Sequence, residues 1–294
     1  MRGQLARTLK RTPEVMVNIT NRASSAQGIG AVRRHLRYIS RNGQVDLEDQ
    51  NGDRISGVDA LRDLTRTWQF AGWGIPDTST RREVFNILLS MPPGTNRQAV
   101  RDAARDFAAH EFGDGRAYVF AAHDDEAHPH VHLSVQVREP DGRRLNPRHQ
   151  DLQRWREYFA VQLRAHGVGA NATSGRIRGV TQRYSIPEIV HMMERGEVPK
   201  YWRAVANDAQ REARWVAHGG VFAAWRQLAY AMAESRVSED RVMAVEMAYF
   251  VGAMPVQRDR HAAERERDIG QDQPARTVSE SDGRSNDVGP DVER

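Results

Sequence analysis

The chain has 294 residues, enough for one large domain or two modest ones; 39% are hydrophobic and the mean hydropathy is −0.70, polar for a globular protein but not that of a wholly disordered one. It carries 43 Lys+Arg against 39 Asp+Glu, and all but two of the basic residues (Lys10 and Lys200) are arginines, whose planar fork grips phosphate in bidentate fashion. The absence of cysteine excludes disulfides, thiolate zinc sites and a cysteine nucleophile, while no apolar run approaches ~18 residues and no signal-peptide pattern opens the chain, so a cytoplasmic protein without a membrane span is expected.

Residues 1–13 read as an N-terminal arm. Glu14 to Thr20 reads as a strand, Asn21 to Gly30 as a loop and Ala31 to Arg41 as a helix. Gln44 to Ile55 is a short hairpin turning at Gln50-Asn51-Gly52-Asp53, and Asp59 to Trp68 is helical. Glu83 to Met91 forms a strand stopped by Pro92-Pro93-Gly94, and Asn96 caps a helix with Val100, Ala104, Phe107 and Ala108 at helical spacing. Arg116 to Ala122 and Pro129 to Arg138 are two further strands, and Asn146-Pro147 opens a helix carrying Leu152, Trp155, Phe159 and Leu163 on one face. Strands interleaved with helices over 14–175 predict an α+β domain with a mostly antiparallel sheet flanked by helices.

From Ser185 the pattern is wholly helical, beginning with a capping box at Ser185-Ile186-Pro187-Glu188 and continuing in helices around Tyr201 to His218, Phe222 to Arg236 and Glu239 to Val251. Residues 176–254 thus form a separate helical unit. The last forty residues, 255–294, hold 7 Arg against 10 Asp+Glu and no apolar periodicity, the composition of a disordered charged tail. The rest of the chain keeps 36 basic against 29 acidic residues, so the basic excess lies on the folded body, where a nucleic-acid surface belongs.

The richest stretch for chemistry runs from His123 to Val137, with four of the chain's 11 histidines in its first ten residues. On a strand, Val131, Leu133, Val135 and Val137 share one face, and His130, His132, Ser134 and Gln136 line the other. Two imidazoles on one strand face can point at one ion, and His123 supplies a third if its strand lies alongside. Such a set leaves coordination positions open for a substrate oxygen. His128 follows the same alternation, but Pro129 can bend the strand entry and turn it away. On the helix Ala31 to Arg41, Ile29, Val32, Leu36 and Ile39 cluster on one side, while Tyr38 falls on the polar side between Arg34 and Arg41. A tyrosine so placed can meet a phosphodiester, although alone such a tyrosine beside arginines is more often an ordinary surface residue.

In combination these features resemble the relaxases of conjugative and mobilisable plasmids, in the HUH endonuclease superfamily, and most of all the P-type (MOB-P) mobilisation nucleases. The nucleophile motif resembles His35-Leu36-Arg37-Tyr38-Ile39-Ser40-Arg41, the second motif Leu88-Leu89-Ser90-Met91-Pro92-Pro93-Gly94-Thr95, and the metal motif the histidine cluster with Asp125 in the acidic place. The similarity spans roughly residues 14 to 170 and leaves out the helical unit and tail. It implies strand-specific nicking and rejoining of DNA at a plasmid or mobile-element transfer origin, with Tyr38 joined covalently to the DNA 5′ end. It further implies that His123, His130 and His132 hold one divalent ion (magnesium, manganese or zinc), that Asp125 orients a histidine or helps take the tyrosine proton, and that Ser90 touches DNA on the 3′ side. Arg34 and Arg41, with Arg33, Arg37, Arg143 and Arg144, would contact phosphate, and Trp68, Phe70 or Trp73 would stack on bases. The implied partners are single-stranded or melted origin DNA and the accessory and coupling proteins of a type IV secretion system. Two other functions fit parts of the pattern: a rolling-circle replication initiator, for which Tyr158 would be the nucleophile, and a non-catalytic DNA-binding mobilisation protein.

Overall fold

The computed structural model describes residues 2–21, 28–180, 207–258, 260, 261 and 265. The chain divides into two units, Met1–Arg178 and Gly179–Arg294. No helix among the described residues is long and apolar enough to cross a membrane.

The first unit runs α1 (Arg2–Leu9), β1 (Met16–Ile19), α2 (Ile29–Ile39), β2 (Leu47–Asp49), β3 (Arg54–Ile55), α3 (Gly57–Phe70), β4 (Val84–Ser90), α4 (Arg97–Phe112), β5 (Tyr118–His123), β6 (His130–Gln136) and α5 (His149–Ala165). Its six strands form one sheet in the order β1-β4-β6-β5-β2-β3, antiparallel throughout, which bears out the α+β expectation. The two-residue period of a strand sends alternate side chains to opposite faces, and each face is covered. Val17, Phe85, Ile87, Leu89, Phe120, Val131, Leu133 and Val135 pack against Phe107 and Phe112 of α4 and Trp155 and Phe159 of α5. The other face puts Val84, Val119 and Ala121 against Ile29, Val32, Leu36 and Ile39 of α2 and Leu61 and Trp68 of α3. The result is a helix–sheet–helix sandwich with β6 and β5 at the centre of its sheet. Local signals agree with it: Asn96 caps α4 by accepting the Ala99 amide at 3.0 Å.

Residues 1–13 contain a helix that their polar sequence does not signal. It is held by a small polar cluster in which the Thr8 and Thr173 hydroxyls lie 2.7 Å apart and the Asn171 amide donates to Thr8 at 3.0 Å. Glu14 adds a bond from the Thr173 backbone amide at 2.7 Å.

In the second unit, α6 (Asp208–Ala233) is one 26-residue helix where the sequence suggested two, broken near Gly219-Gly220. Glycine costs a helix about 1 kcal/mol per residue but does not forbid it, and on either side of the pair His218, Phe222 and Trp225 are buried. α7 (Ser238–Gly252) follows, with Trp225 of α6 against Phe250 at a ring separation of 5.2 Å. Pro255–Arg258 are helical rather than part of an unstructured tail, because Met254 and Val256 are buried. The capping box at Ser185 to Glu188, the expected helix start at Tyr201 and most of 255–294 lie outside the described residues.

Candidate metal centre and nucleophile

The site begins at the end of α2. Leu36 and Ile39 are fully buried and fix the helix to the sheet, so Tyr38 is left on the outer side with 54% of its surface exposed. The helix stops in three successive left-handed residues, Arg41 (φ 49°), Asn42 (φ 57°) and Gly43 (φ 85°). Only glycine suits the last of these, since a Cβ there would sit 2.7 Å from the Gly57 carbonyl carbon. Buried Ser40 ties the turn together, donating to the Arg37 carbonyl at 3.3 Å and accepting from the Gly43 amide at 3.1 Å. The turn aims Arg41 back over the site: its guanidinium donates to the Asp125 carboxylate and lies 5.4 Å from the centre of the Tyr38 ring.

Strand register assembles the three imidazoles. His123 at the end of β5 pairs with His130 at the start of β6, and His132 lies two residues on, on the same face. One ring nitrogen from each falls within 4.8 Å of the others. The tautomers follow from the backbone. His123 Nε2 is 2.7 Å from the carbonyl of Ile39, one of the last carbonyls of α2 and therefore without a helical partner. A carbonyl can only accept, so Nε2 carries the hydrogen and Nδ1 keeps its lone pair; that Nδ1 is buried and has no hydrogen-bond partner among the described residues. In the same way His130 Nδ1 donates to the His128 carbonyl at 3.0 Å, leaving Nε2 free to coordinate. A hydrogen bond from the ring nitrogen that faces away from an ion fixes the orientation of a metal-binding histidine and tunes its basicity.

Burial favours the neutral form of two of the three imidazoles, His123 and His132. Burial, with His123, His130, His35 and Arg41 nearby, pushes His132 down to about 3. His123 is lowered by burial and by the neighbouring His130 and Arg41, against the opposing pull of the Ile39 carbonyl and Asp125. Asp125 is raised by burial but more than compensated by its own backbone amide, Arg41 and the two histidines, so its carboxyl titrates below the usual range. Its Oδ1 is 4.0 Å from His123 Nδ1. Three imidazoles with ring nitrogens this close, one of them a buried Nδ1 with an orphaned lone pair, are a donor set that fits one divalent cation.

Of the residues singled out from sequence, Tyr38 comes to this cluster, its ring edge-on to His132 with centroids 5.6 Å apart. The His128 side chain is exposed and outside the triad; its carbonyl is the part that serves the site. Ser90 pairs in register with His130 and is 97% buried, its hydroxyl 3.4 Å from the Met91 carbonyl. Arg34 is exposed on α2, one turn before Tyr38. Trp68 is core, while Phe70 and Trp73 are exposed, Trp73 donating to the Pro140 carbonyl at 3.1 Å. Tyr158 lies in the α4–α5 layer on the far side of the sheet, stacked on His110 at 3.9 Å.

Three contributors escaped the sequence. His35 sits with its ring 6.2 Å from Tyr38 and 6.4 Å from His132, and its position three residues before the tyrosine was the available signal. Burial lowers it to about 4. Arg97, at the start of α4, straps the β5–β6 loop through the His123 carbonyl (3.3 Å), Asp124 (3.4 Å) and the Glu126 carbonyl. The carbonyl of Ile39 carries no signature in sequence.

Residues 38–168 match the sequence model of a family described as "Relaxase: MobA/VirD2-like, nuclease domain". The chain is 31% identical over 169 residues to the T-DNA border endonuclease VirD2 of Agrobacterium fabrum, a match covering 50% of this chain and 37% of that protein. It is 32% identical over 166 residues to the T-DNA border endonuclease VirD2 of Rhizobium radiobacter (50% and 39% covered). Against the 43 kDa relaxation protein of Salmonella typhimurium it is 28% identical over 135 residues (41% and 35% covered). The matched region thus spans less than two fifths of the length of each of these relatives.

Proposed function

We propose, from the match of residues 38–168 to the MobA/VirD2-like relaxase nuclease domain, that this protein is a relaxase of the HUH superfamily that nicks and rejoins one strand of DNA at a plasmid or mobile-element transfer origin, using Tyr38 as nucleophile. The observation that carries the proposal is the contact of the Tyr38 ring with His132, 5.6 Å between centroids, which sets an exposed phenol beside the three-imidazole cluster.

The reaction is a transesterification. The Tyr38 oxygen, its proton lost, attacks the scissile phosphorus; the bond from phosphorus to the 3′ oxygen breaks, a 5′-phosphotyrosine forms, and the departing oxygen takes up a proton to become a free 3′ hydroxyl. The number of phosphoester bonds is conserved, so the reverse attack reseals the strand without another energy source. His123, His130 and His132 would hold a divalent ion, which when bound polarises the non-bridging phosphate oxygens and neutralises charge as it develops. Arg41 lies over the Tyr38 ring and is itself held by the Asp125 carboxylate. Asp125, paired with Arg41 and next to His123 Nδ1, acts as a positioning residue for the cluster. Arg34 and Arg41 meet backbone phosphates, and Ser90 is the proposed contact on the 3′ side. The exposure of Tyr38 suits a substrate that is single-stranded or melted. Accessory and coupling proteins of a type IV secretion system follow as partners from the relaxase family alone.

A rolling-circle initiator that used Tyr158 is disfavoured, because that phenol packs on the opposite face of the sheet from the triad. The proposal is tested with an origin oligonucleotide labelled at either end and incubated with protein and Mn²⁺. The 3′-labelled fragment should remain attached to protein, and the 5′-labelled fragment should run free and be extendable by a polymerase. Release of both fragments without attachment would mean water, not Tyr38, is the nucleophile.

A further inference from the structure

A cavity of about 310 Å³ lies between α2 and β4 and reaches His35, whose ring is 6.4 Å from that of His132. Its walls include the apolar side chains of Ala31, Val32 and Val84, and its polar lining includes Arg34, His35 and Asn86. Asn86 is on the catalytic face, one inward-facing position along β4 from Leu88, the residue that pairs with His132. Along α2 the cavity reaches from His35 to Ala31, three to seven residues before Tyr38, or roughly 5–11 Å at 1.5 Å per residue.

Most polar groups in the cavity are committed. The Asn21 side chain donates to the Val84 carbonyl (2.8 Å) and accepts the Asn86 amide (3.1 Å). Glu83 accepts from Ser79 (2.7 Å) and Arg144 (3.1 Å). Two atoms are different: Asn86 Oδ1 and His35 Nε2 are buried and meet no hydrogen-bond partner among the described residues. Buried polar groups are rarely left so, and those that are call for a ligand or another explanation. The volume is at the lower end of small-molecule sites, the apolar side chains of Ala31, Val32 and Val84 can pack on a ring, and an asparagine amide offers a donor and an acceptor side by side.

Resting on the nicking function proposed above, we infer that this cavity receives one unstacked nucleobase of the scissile strand next to the cleaved phosphate, and that Asn86 selects adenine there. The asparagine amide pairs bidentately with adenine N6 and N7, whereas guanine presents an acceptor at the place where adenine donates. Arg34, exposed at the rim, meets the phosphate of the same nucleotide.

The test selects a randomised single-stranded DNA pool by binding to the full-length Tyr38→Phe protein, then offers the selected strand to the wild type to locate the nick. We expect one position, within about two nucleotides of the nick, at which adenine is preferred roughly 5- to 150-fold. Asn86→Leu should erase the preference at that position alone. Asn86→Asp should move it toward cytosine, whose amino group donates to a carboxylate, a change of preference that misfolding cannot produce. With the wild type alone, replacing that adenine by unsubstituted purine should weaken binding about tenfold. A profile unchanged in both Asn86 variants, or equal binding of the adenine and purine strands, overturns the inference. If the selected strand shows the Asn86-dependent preference but is never nicked, the base pocket stands and the nicking function fails.

Discussion

Asp125→Asn separates the metal cluster from the loop that carries it. The substitution keeps the shape of the side chain while removing the charge that faces Arg41 and His123 Nδ1. The two members of the Arg41–Asp125 pair are 37% and 49% exposed, so the lost ion pair costs at most about 1 kcal/mol. In a unit of 178 residues that lowers the metal-free Tm by about 2–4 °C at most. Metal affinity should respond far more, about 10- to 100-fold as for other groups that tune a metal site from behind its ligands, because the carboxylate charge lies 4.0 Å from the lone pair of His123 Nδ1 and attracts a cation there. At a Mn²⁺ concentration 100 times the wild-type Kd, the wild type gains about 2.7 kcal/mol, a rise of roughly 5–11 °C. At the same concentration Asp125→Asn should gain only about 1.4 kcal/mol for a tenfold loss, or about 0.4 kcal/mol for a hundredfold loss. Melting curves with and without Mn²⁺ read both quantities in one experiment, at a pH well above the lowered carboxyl so that Asp125 is charged in the wild type. A metal-induced rise equal to that of the wild type would refute a role for Asp125 at the cluster and reduce it to a tie for its loop.

Two further outcomes follow from the same geometry. His132 and His35, held down to about 3 and about 4 by burial, stay neutral in the folded protein at pH 5, whereas in the unfolded chain they bind protons below about 6.5. Unfolding therefore takes up protons, and the metal-free protein should lose about 2 kcal/mol per histidine between pH 7.5 and pH 5, fully regained above the unfolded value; urea midpoints that do not move over this range would contradict their burial as neutral rings. Gly43→Ala places a Cβ 2.7 Å from the Gly57 backbone at φ 85°, so it should destabilise by more than about 1 kcal/mol and, by shifting Arg41, slow nicking at temperatures where the variant remains folded. Nicking at the wild-type rate in folded Gly43→Ala would show that the turn does not position Arg41.

Much of the sheet is legible because burial writes a short-range pattern. β6 alternates Val131, Leu133 and Val135 with His130, His132 and Ser134, and that period of two both identifies the strand and puts the imidazoles on one side. β4 is mostly apolar because both of its faces are covered, its polar exceptions Asn86 and Ser90 both lying on the histidine face, and Asn96 announces α4. What escapes depends on contacts distant in sequence. His128 has the right parity for the triad, but alternation holds only inside the strand, which starts at His130, so its side chain leaves the face and only its carbonyl takes part. Ile39 serves through a backbone oxygen 84 residues from His123, visible only once β5 is known to end beneath α2. The N-terminal helix Arg2–Leu9 is held by bonds linking its Thr8 to Asn171 and Thr173, more than 160 residues away, rather than by any pattern within the helix. The unbroken α6 is stabilised by aromatic packing that outweighs two glycines.

The decisive experiment incubates wild-type, Tyr38→Phe and Tyr158→Phe proteins with labelled transfer-origin single strand and Mn²⁺, then resolves them under denaturing conditions and sequences the adduct by mass spectrometry. A denaturation-resistant protein–DNA species in the wild type and in Tyr158→Phe, absent from Tyr38→Phe and carrying its phosphate on Tyr38, is the expected result. An adduct that survives Tyr38→Phe, or one mapped to any other residue, would contradict the pairing of this phenol with the histidine cluster.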